Sequence, residues 1–393
     1  MLPSTDLFIL NLLATFAPYL IVTVSLNLEY GYGGVPNFGK VLAVAGGAFM
    51  AGVIPGRLLA AVLGIDQGNF IGNNSQIIVK ENGVLITSAS LSLEIFVFTL
   101  LVSALVGALL GVIVAYPTRR LRADYLGMVL LAAGQVILVI GNNYPPLIGG
   151  TLGVSVPDPF QWAGSFAFAG LTPGDVRNIM AVAFMMIVAV IVFLYARRLT
   201  HSPLGRMLRA VRDDENSVLA LGKDVERTRF KVIVFASAIA AVAGALYAFY
   251  TANVFYATFN RTGWTFWPWV MVILGGAAND WGVVAGTFIF VAVRQTITFY
   301  RDVFAPFLPF DVVWLDTLLL GLALLIILIY RPDGLIREKP IKTIKNAKPP
   351  FTGTEEAASP DSASERQEQS KGGLVDGLRS LFKSKKKSSP EKG

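Results

Sequence analysis

Side chains that could perform covalent or acid–base chemistry are scarce in this chain. It has no cysteine, so it offers neither a disulfide nor a thiolate metal ligand, and His201 is its single histidine. The sequence contains no G-x-x-x-x-G-K-[ST] motif, the loop that holds nucleotide phosphates in many ATPases. No nucleophile and base pair stands out either. We therefore predict no catalytic residue, no metal ligand and no bound cofactor.

The charges that could bind a partner are concentrated in residues 202–231, between two long apolar runs. Nine basic residues lie in this segment and just before it. Ser202 can cap a helix whose first residue is Pro203, and Gly222 is a suitable stop. Apolar residues recur near helical spacing between Ser202 and Gly222, which predicts an amphipathic helix that lies across a membrane surface.

The composition predicts the elements that must position this segment. Hydrophobic residues make up 54% of the 393 and charged residues 15%, a balance that one soluble core could not bury but a bilayer would solvate. We predict an all-α polytopic membrane protein with about nine transmembrane or re-entrant helical segments. The predicted spans are 7–28, 40–63, 91–115, 125–141, 178–196, 232–254, two short spans meeting at a Gly-rich hinge within 275–286, and 314–329.

Basic residues predict the orientation of these spans. The net charge is +7, and cytoplasmic loops are enriched in Lys and Arg. This rule places 202–231 and the cluster at Arg119, Arg120 and Arg122 in the cytoplasm, with the C-terminus inside. The basic balance indicates contact with anionic lipids rather than nucleic acid.

The chain divides into a membrane domain, residues 1–336, and a polar tail, residues 337–393. The tail is too polar to bury and is predicted to be disordered, with a possible amphipathic helix at 373–387 that folds on lipid.

Breaks in the apolar pattern mark candidate positions for a translocation path. Irregular backbone survives at membrane depth only where protein or a water-filled cavity satisfies it. We expect the break at 31–39, the turn at 149–153 and the hinge at 275–286 to converge near such a path. The aromatic cluster Trp264, Phe266, Trp267 and Trp269 is typical of a belt at the membrane interface.

Four stretches resemble branched-chain amino acid-type ABC transporter permeases, the LivM-like inner-membrane subunits. The resemblance covers residues 26–336. It rests on SLNLEYGYGGVPNFGKVLAVAGGAF, YLGMVLLAAGQVILVIGNNYPPLIGGTLGVSVP, GRMLRAVRDDENSVLALGKDVERTRFKVIVFASAIAAVAGALYA and VMVILGGAANDWGVVAGTFIF, followed by the ending YRPDGLI. Glu29, Pro36, Ile148, Ala278 and Val283 depart from the family pattern.

The resemblance implies that 202–231 forms a coupling helix that docks on an ATPase. The implied partners are a second permease subunit, two ATP-binding cassette ATPases that use the ATP, an extracytoplasmic solute-binding protein and membrane lipids. The expected coupling residues are Gly205, Arg206, Met207, Arg209, Val211, Arg212, Asp213, Glu215, Leu221 and Gly222. The expected path residues are Asn27, Gly31, Gly34, Asn37, Gly39, Gly149, Gly150, Thr151, Gly153, Gly275 and Gly276.

The resemblance implies a permease of an importer in the cytoplasmic membrane of a prokaryote. Its solute would be leucine, isoleucine or valine first, and urea or a short amide second. A self-sufficient secondary transporter or channel is the alternative, because broken helices can also bind solute at the midplane. Such a transporter should carry an ion or proton site, and Glu94 and Arg294 stand at span ends.

Overall fold

The computed structural model describes residues 4–66, 68–119, 121, 123–166, 171–301, 318, 321–322, 325–326, 329–330 and 334–338. Within these residues, seven helices are long and apolar enough to cross a membrane. They are Thr5–Tyr32, Lys40–Val62, Ala89–Ala115, Tyr125–Asn143, Pro173–Thr200, Val225–Thr251 and Asp280–Phe299. The protein is therefore an all-α polytopic membrane protein, as predicted. Most of the predicted span 314–329, and all of the tail after residue 338, lie outside the described residues.

The helices follow one another with short connections. The α-helices of the described residues are α1 (Ser4–Leu26), α2 (Lys40–Val62), α3 (Asn74–Leu85), α4 (Ala89–Ala115), α5 (Ala123–Asn143), α6 (Pro145–Ile148), α7 (Pro173–Thr200), α8 (Pro203–Asp213), α9 (Glu215–Ala220), α10 (Val225–Thr251), α11 (Trp267–Gly275) and α12 (Asp280–Phe299). Two π-helical turns, Asn27–Tyr32 and Thr262–Phe266, extend α1 and precede α11. A short antiparallel pair joins β1 (Val154–Ser155) to β2 (Asn253–Val254).

Helices α2 and α10 form the centre of the bundle. In the most apolar stretch of each of these helices, 72% of the residues are buried. In α4 the share is 28%, and its exposed apolar surface suits contact with lipid or with a partner. Their crossing is close because it uses small residues: a Cβ at Gly244 would overlap the carbonyl oxygen of Val44. This core holds the ends of α2 and α10, and the segments attached to them, in fixed positions.

The structure corrects two expectations about local structure. The polar connection 66–90 contains a helix, α3, which packs against α2 and α4. Trp264 and Trp269 are 3% and 7% exposed, so they belong to the core rather than to an interfacial belt. Trp264 stacks on the ring of Tyr19, and Trp269 stacks on the ring of Phe38. These ring contacts stabilise both indoles inside the bundle.

Glu81, on α3 and outside the seven candidate spans, should make stability depend on pH. Its side chain is buried, and burial raises its pKa to about 8. The folded state therefore binds the proton more tightly than the unfolded chain, whose carboxyl has an ordinary pKa near 4.5. Stability should fall as pH rises from about 4.5 to about 8 and then level off.

Melting temperatures of the detergent-solubilised chain at several pH values across this window test that expectation. Glu81→Gln should melt at a nearly constant temperature, because its amide does not titrate. Glu94→Gln, which changes an exposed carboxyl on α4, is the matched control and should keep the pH dependence. An unchanged profile in Glu81→Gln would assign the dependence to another group.

Candidate functional site

Three parts of the chain meet at one end of the helix bundle, which we call the basic end. These are the break between α1 and α2, the connection from α7 through α9 to α10, and the hinge between α11 and α12. Tyr32 Oη donates a hydrogen bond to Asp280 Oδ1 at 3.0 Å, and Thr200 Oγ1 donates to Asp280 Oδ2 at 3.2 Å. The carboxylate of Asp280 thus joins all three parts.

The first break touches the α11–α12 hinge through Asn27 and Gly31. Asn27 Oδ1 accepts a hydrogen bond from the backbone N–H of Ala278 at 2.9 Å. A Cβ at Gly31 would lie 2.6 Å from that same nitrogen, so a side chain there would push the segments apart. Gly275 ends α11, and Gly276 has a φ of 105°, which favours glycine. Two of the three predicted irregular segments therefore do meet.

A fully buried ion pair closes the break between α1 and α2. Lys40 Nζ lies 2.9 Å from Glu29 Oε2, and both side chains are 0% exposed. Asn37 Nδ2 donates a hydrogen bond to the same carboxylate oxygen at 3.0 Å. Two buried charges are stable only as a pair, because each alone would face an apolar interior. The pair therefore ties the π-helical end of α1 to the first turn of α2.

The other residues of the break pack against neighbouring elements. Gly34 has a φ of +68° and lies against the side chain of Arg212. The backbone oxygen of Asn37 accepts a hydrogen bond from the indole N–H of Trp269 at 3.1 Å. Its side-chain oxygen accepts the backbone N–H of Gly39 at 2.8 Å. Hydrogen bonds to other protein groups therefore satisfy much of the backbone in this break, and packing against neighbouring side chains fills the space around it.

The turn at Gly149–Gly153 lies at the opposite end of α2, contrary to the expected convergence of three breaks. Gly149, Gly150 and Gly153 all have positive φ, and Gly153 packs against the backbone of Val254 in β2. Thr151 is exposed beside them. Because β1 and β2 flank the second half of α2, whereas Glu29 contacts its first residue, the turn is separated from the basic end by much of that helix.

Residues 202–224 form two short helices rather than the single helix predicted between Ser202 and Gly222. Ser202 Oγ accepts the backbone N–H of Leu204 and caps α8, as its sequence predicted. Asp214 interrupts the helix with extended backbone and caps α9, because its carboxylate accepts the N–H of Asn216. Gly222, with a φ of +71°, follows the end of α9. Gly205 packs so closely on the backbone of Thr200 that a Cβ would overlap it.

The apolar side of α8 and α9 faces the protein. Val211 and Val218 are 1% and 5% exposed and pack with Val225 and Met207. We expected Val211 to supply an apolar contact to a partner, and its burial contradicts that expectation. Leu221, by contrast, is 77% exposed and remains available. Helix α8 is amphipathic as predicted, but its apolar face supports the fold of this segment.

Two arginines of α8 point into the basic end. Arg212 Nη1 donates to the backbone oxygen of Gly31 at 2.7 Å, and its Nη2 donates to Glu338 Oε2 at 2.9 Å. Burial lowers the pKa of Arg212, but the hydrogen bonds and negative charges of Glu338 and Asp213 together outweigh burial and raise that pKa, so the guanidinium stays charged. Arg209 Nη2 donates to the backbone oxygen of Thr200 at 3.4 Å, and its guanidinium lies over the ring of Tyr32. The arginines therefore link α8 to the first break and to residues 334–338.

The acidic residues of the segment pair locally. Asp213 pairs with Arg212 at 3.1 Å. Glu215 pairs with Arg229 of α10 at 2.9 Å. Arg206 is exposed. Among the side chains of the expected coupling residues, those of Arg206, Asp213 and Leu221 are exposed.

Sequence analysis missed Glu29, Lys40, Asp280 and Glu338 as elements of this site. Glu29 was considered only as a departure from a pattern. One signal could have found the buried pair: opposite charges flank a single break between two long apolar runs, where isolated charges would be costly. No comparable signal connects Arg212 with Gly31 and Glu338, because these contacts join distant parts of the chain.

No metal site accompanies this arrangement in the described residues, where no group of three or more His, Cys, Asp or Glu side chains could hold an ion. The basic end instead resembles a joint. Its charges hold the end of α1, the start of α2, the hinge before α12 and the α8 helix together. Movement of α8 would therefore displace the end of α1, the start of α2 and the hinge before α12.

Comparison with known proteins gives a consistent result. A family model described as a branched-chain amino acid transport system permease component matches residues 8–328. The chain is 38% identical over 342 residues to the probable branched-chain amino acid transport permease protein LivM of Methanocaldococcus jannaschii, covering 86% of this chain and 96% of that protein.

Two further relatives are matched over a smaller part of their length. The high-affinity branched-chain amino acid transport system permease protein LivM of Escherichia coli is 26% identical over 62% of this chain and 58% of its own. Its counterpart in Salmonella typhimurium is 28% identical over 60% of this chain and 55% of its own. No solved structure matches the chain.

Proposed function

The chain belongs to the family of branched-chain amino acid transport system permease components, and from this premise we propose how it works within an importer. It is a multi-pass permease of the cytoplasmic membrane of a prokaryote, and its family is one of transporters rather than enzymes. We propose that it translocates leucine, isoleucine or valine. A second permease subunit, two ATP-binding cassette ATPases and a solute-binding protein would complete the assembly.

The observation that carries this proposal is the direct connection of α8 and α9 to two spans. Helix α7 ends at Thr200 and α10 begins at Val225, so the segment between them cannot move without displacing one or both. Arg212 adds a third link, to the break between α1 and α2. An ATPase that grips α8 and α9 would therefore transmit its motion to at least three parts of the bundle.

The proposed coupling residues divide by orientation. Arg206, Asp213 and Leu221 face outward and would contact the ATPase. Gly205, Met207, Arg209, Val211, Arg212, Glu215 and Gly222 would instead maintain the shape of the segment and its links to the bundle. The proposed path residues at the basic end, Asn27, Gly31, Gly34, Asn37, Gly39, Gly275 and Gly276, would rearrange when α8 moves, and the Gly149–Gly153 turn would lie near the other mouth.

Leu221→Asp should weaken association with the ATPases by about tenfold, because it places a charge where an apolar contact forms. Co-purification of the ATPases with the tagged chain measures this effect. Leu152→Asp is the matched control: Leu152 is 86% exposed but lies in the turn at the opposite end. Equal recovery of ATPase with both variants would remove Leu221 from the interface.

Uptake by proteoliposomes that contain the complete assembly tests the function itself. Leucine should accumulate only when ATP and the loaded binding protein are supplied on their respective sides. The alternative, a self-sufficient secondary transporter, draws some support from the buried Glu29–Lys40 pair, which could serve as a proton site. Uptake that persists without ATP and stops when an ionophore collapses the ion gradients would favour that alternative.

A further inference from the structure

A polar cavity lies on one flank of the bundle, and none of its lining residues makes the contacts described for the basic end. It is formed by one face of α5 and by the chain between β2 and α11, and its volume is about 370 Å³. Small-molecule sites in proteins commonly have volumes of about 300 to 1,000 Å³. The cavity is therefore large enough for an amino acid, and Gln135 and Arg261 at its edge are exposed.

The α5 wall of this cavity is a single helical face that carries amides within a candidate span. Gln135, Leu138, Val139 and Asn142 line it, at the spacing that brings residues onto one side of a helix. Val136 and Ile140 beside them are exposed and apolar, as lipid contact requires. Amides at such a position are costly against lipid, so they indicate a face turned toward a polar ligand or a water-filled passage.

Two groups in the cavity have hydrogen-bonding capacity that this part of the chain leaves unused. Asn142 Oδ1 is buried and has no hydrogen-bond partner among the described residues. Arg261 makes no ion pair or hydrogen bond with any of them. Asn260 behaves differently: its side-chain oxygen accepts the N–H of Gly263 at 2.7 Å, and its amide donates to Ala257 O. Asn260 therefore fixes the turn that presents Arg261, which itself remains free to bind.

We propose that this cavity binds the transported solute as a zwitterionic aliphatic α-amino acid, an inference that rests on the proposed function. The guanidinium of Arg261 would pair with the α-carboxylate, for which its planar fork of donors is well suited. Asn142 Oδ1 and the amide oxygen of Gln135 would accept hydrogen bonds from the α-ammonium. Leu138, Val139 and Ala257 provide the apolar surface for an aliphatic side chain.

This arrangement selects by charge as well as by shape. A zwitterion supplies an anion to Arg261 and a donor to Asn142, so both unsatisfied groups are paired at once. Urea or a short amide lacks the carboxylate and would leave the guanidinium without a counterion. The geometry therefore favours amino acids over the neutral amides that the sequence left open. An anionic lipid headgroup could also pair with Arg261, so the test must separate these two sources of negative charge.

The absence of cysteine in the chain allows a direct test by labelling. Thr262→Cys places one thiol in the cavity, and Val79→Cys places one at an exposed position on α3, outside the cavity and the proposed path, as the matched control. The assembled importer, with its binding protein, is reconstituted in liposomes and treated with a membrane-impermeant thiosulfonate reagent. We expect saturating leucine to slow labelling of Thr262→Cys about threefold or more. Urea should not slow it, and labelling of Val79→Cys should be unaffected by either.

Liposomes with and without anionic lipid distinguish the solute from a headgroup. Protection by leucine should be present in both, if the cavity binds solute. Labelling that responds to lipid composition but not to leucine would overturn the proposal and assign the cavity to a headgroup. Labelling unaffected by either would also overturn it.

Substitution of Arg261 provides an independent measurement. Arg261→Gln should lower leucine uptake by about tenfold or more, the loss expected for one charge-assisted pair. Arg261→Lys should restore part of the uptake. ATP hydrolysis stimulated by the loaded binding protein should stay within about twofold in both variants, since Arg261 makes none of the contacts described between α8, α9 and the bundle. Lys80→Gln, which removes an exposed charge on α3, should have no effect.

The outcomes separate this inference from the proposed function. If the unaltered assembly shows no ATP-dependent leucine uptake, the proposed function fails. If the unaltered assembly transports leucine but both Arg261 variants do so at the normal rate, only the cavity is ruled out as the binding site. Should Arg261→Gln fail to assemble, protection of Thr262→Cys by leucine decides the question alone.

Discussion

Lys40→Met should destabilise the protein by about 3–5 kcal/mol, because it leaves the Glu29 carboxylate buried without its counterion. Both side chains are fully buried, so water cannot replace the lost ammonium group. Glu29→Gln should have an effect of similar size by leaving the Lys40 ammonium unpaired. Unfolding of the purified chain in mixed micelles, followed as denaturing detergent is increased, measures these losses.

The double variant Glu29→Gln/Lys40→Met separates charge burial from packing. It removes both charges, so we expect it to be much more stable than either single variant and close to the unaltered chain. Arg227→Ala is the exposed control, since its pair with Asp224 lies at the surface and should contribute about 1 kcal/mol or less. A double variant as unstable as the single ones would show that packing, and not charge, dominates this site.

Arg212→Gln should reduce ATP-driven uptake by about tenfold or more while leaving the permease in the membrane. The change removes the charged hydrogen bonds to Gly31 O and to Glu338, each worth about 1.5–3 kcal/mol. Helix α8 could then still move with the ATPase, but the break between α1 and α2 would no longer follow it. Hydrolysis of ATP should continue, and the ratio of solute transported to ATP hydrolysed should fall.

Two further variants identify the contact responsible. Glu338→Gln keeps the bond to Gly31 and weakens only the other, so its effect should be smaller. Lys223→Gln removes the same charge from the same segment at an exposed position and should transport nearly normally. If Lys223→Gln lowers uptake as much as Arg212→Gln, the loss reflects the total charge of the segment rather than the link to the break.

The amino-acid sequence by itself determined the features that depend on local composition. Six of the predicted spans agree with helices of the structure, although α7 and α10 extend several residues further. Ser202 and Gly222 delimit the charged segment as predicted, because a side-chain cap and a positive φ are properties of single residues. The sequence also identified the chain as a membrane protein, because hydrophobic content can be counted without knowing which residues are in contact.

Only the tertiary structure decided which charges are paired and which faces are buried. Val211 and Leu221 both belong to an apolar pattern, yet one packs inside and the other faces outward, because Val225 covers only the first. Trp264 and Trp269 have the composition of an interfacial belt but stack within the bundle. Helical spacing states which residues share a face; it does not state what lies opposite that face.

The same limit explains the position of the three breaks. Glycine and proline indicate where a helix must stop, so the sequence located each break along the chain. Which breaks meet depends on the direction and length of the helices between them. The end of α1 and the hinge before α12 lie at one end of α2, whereas Gly149 and Gly153 lie at the other. Contacts such as Arg212 with Gly31 join residues far apart in sequence, and the packing of α2 against α10 fixes them.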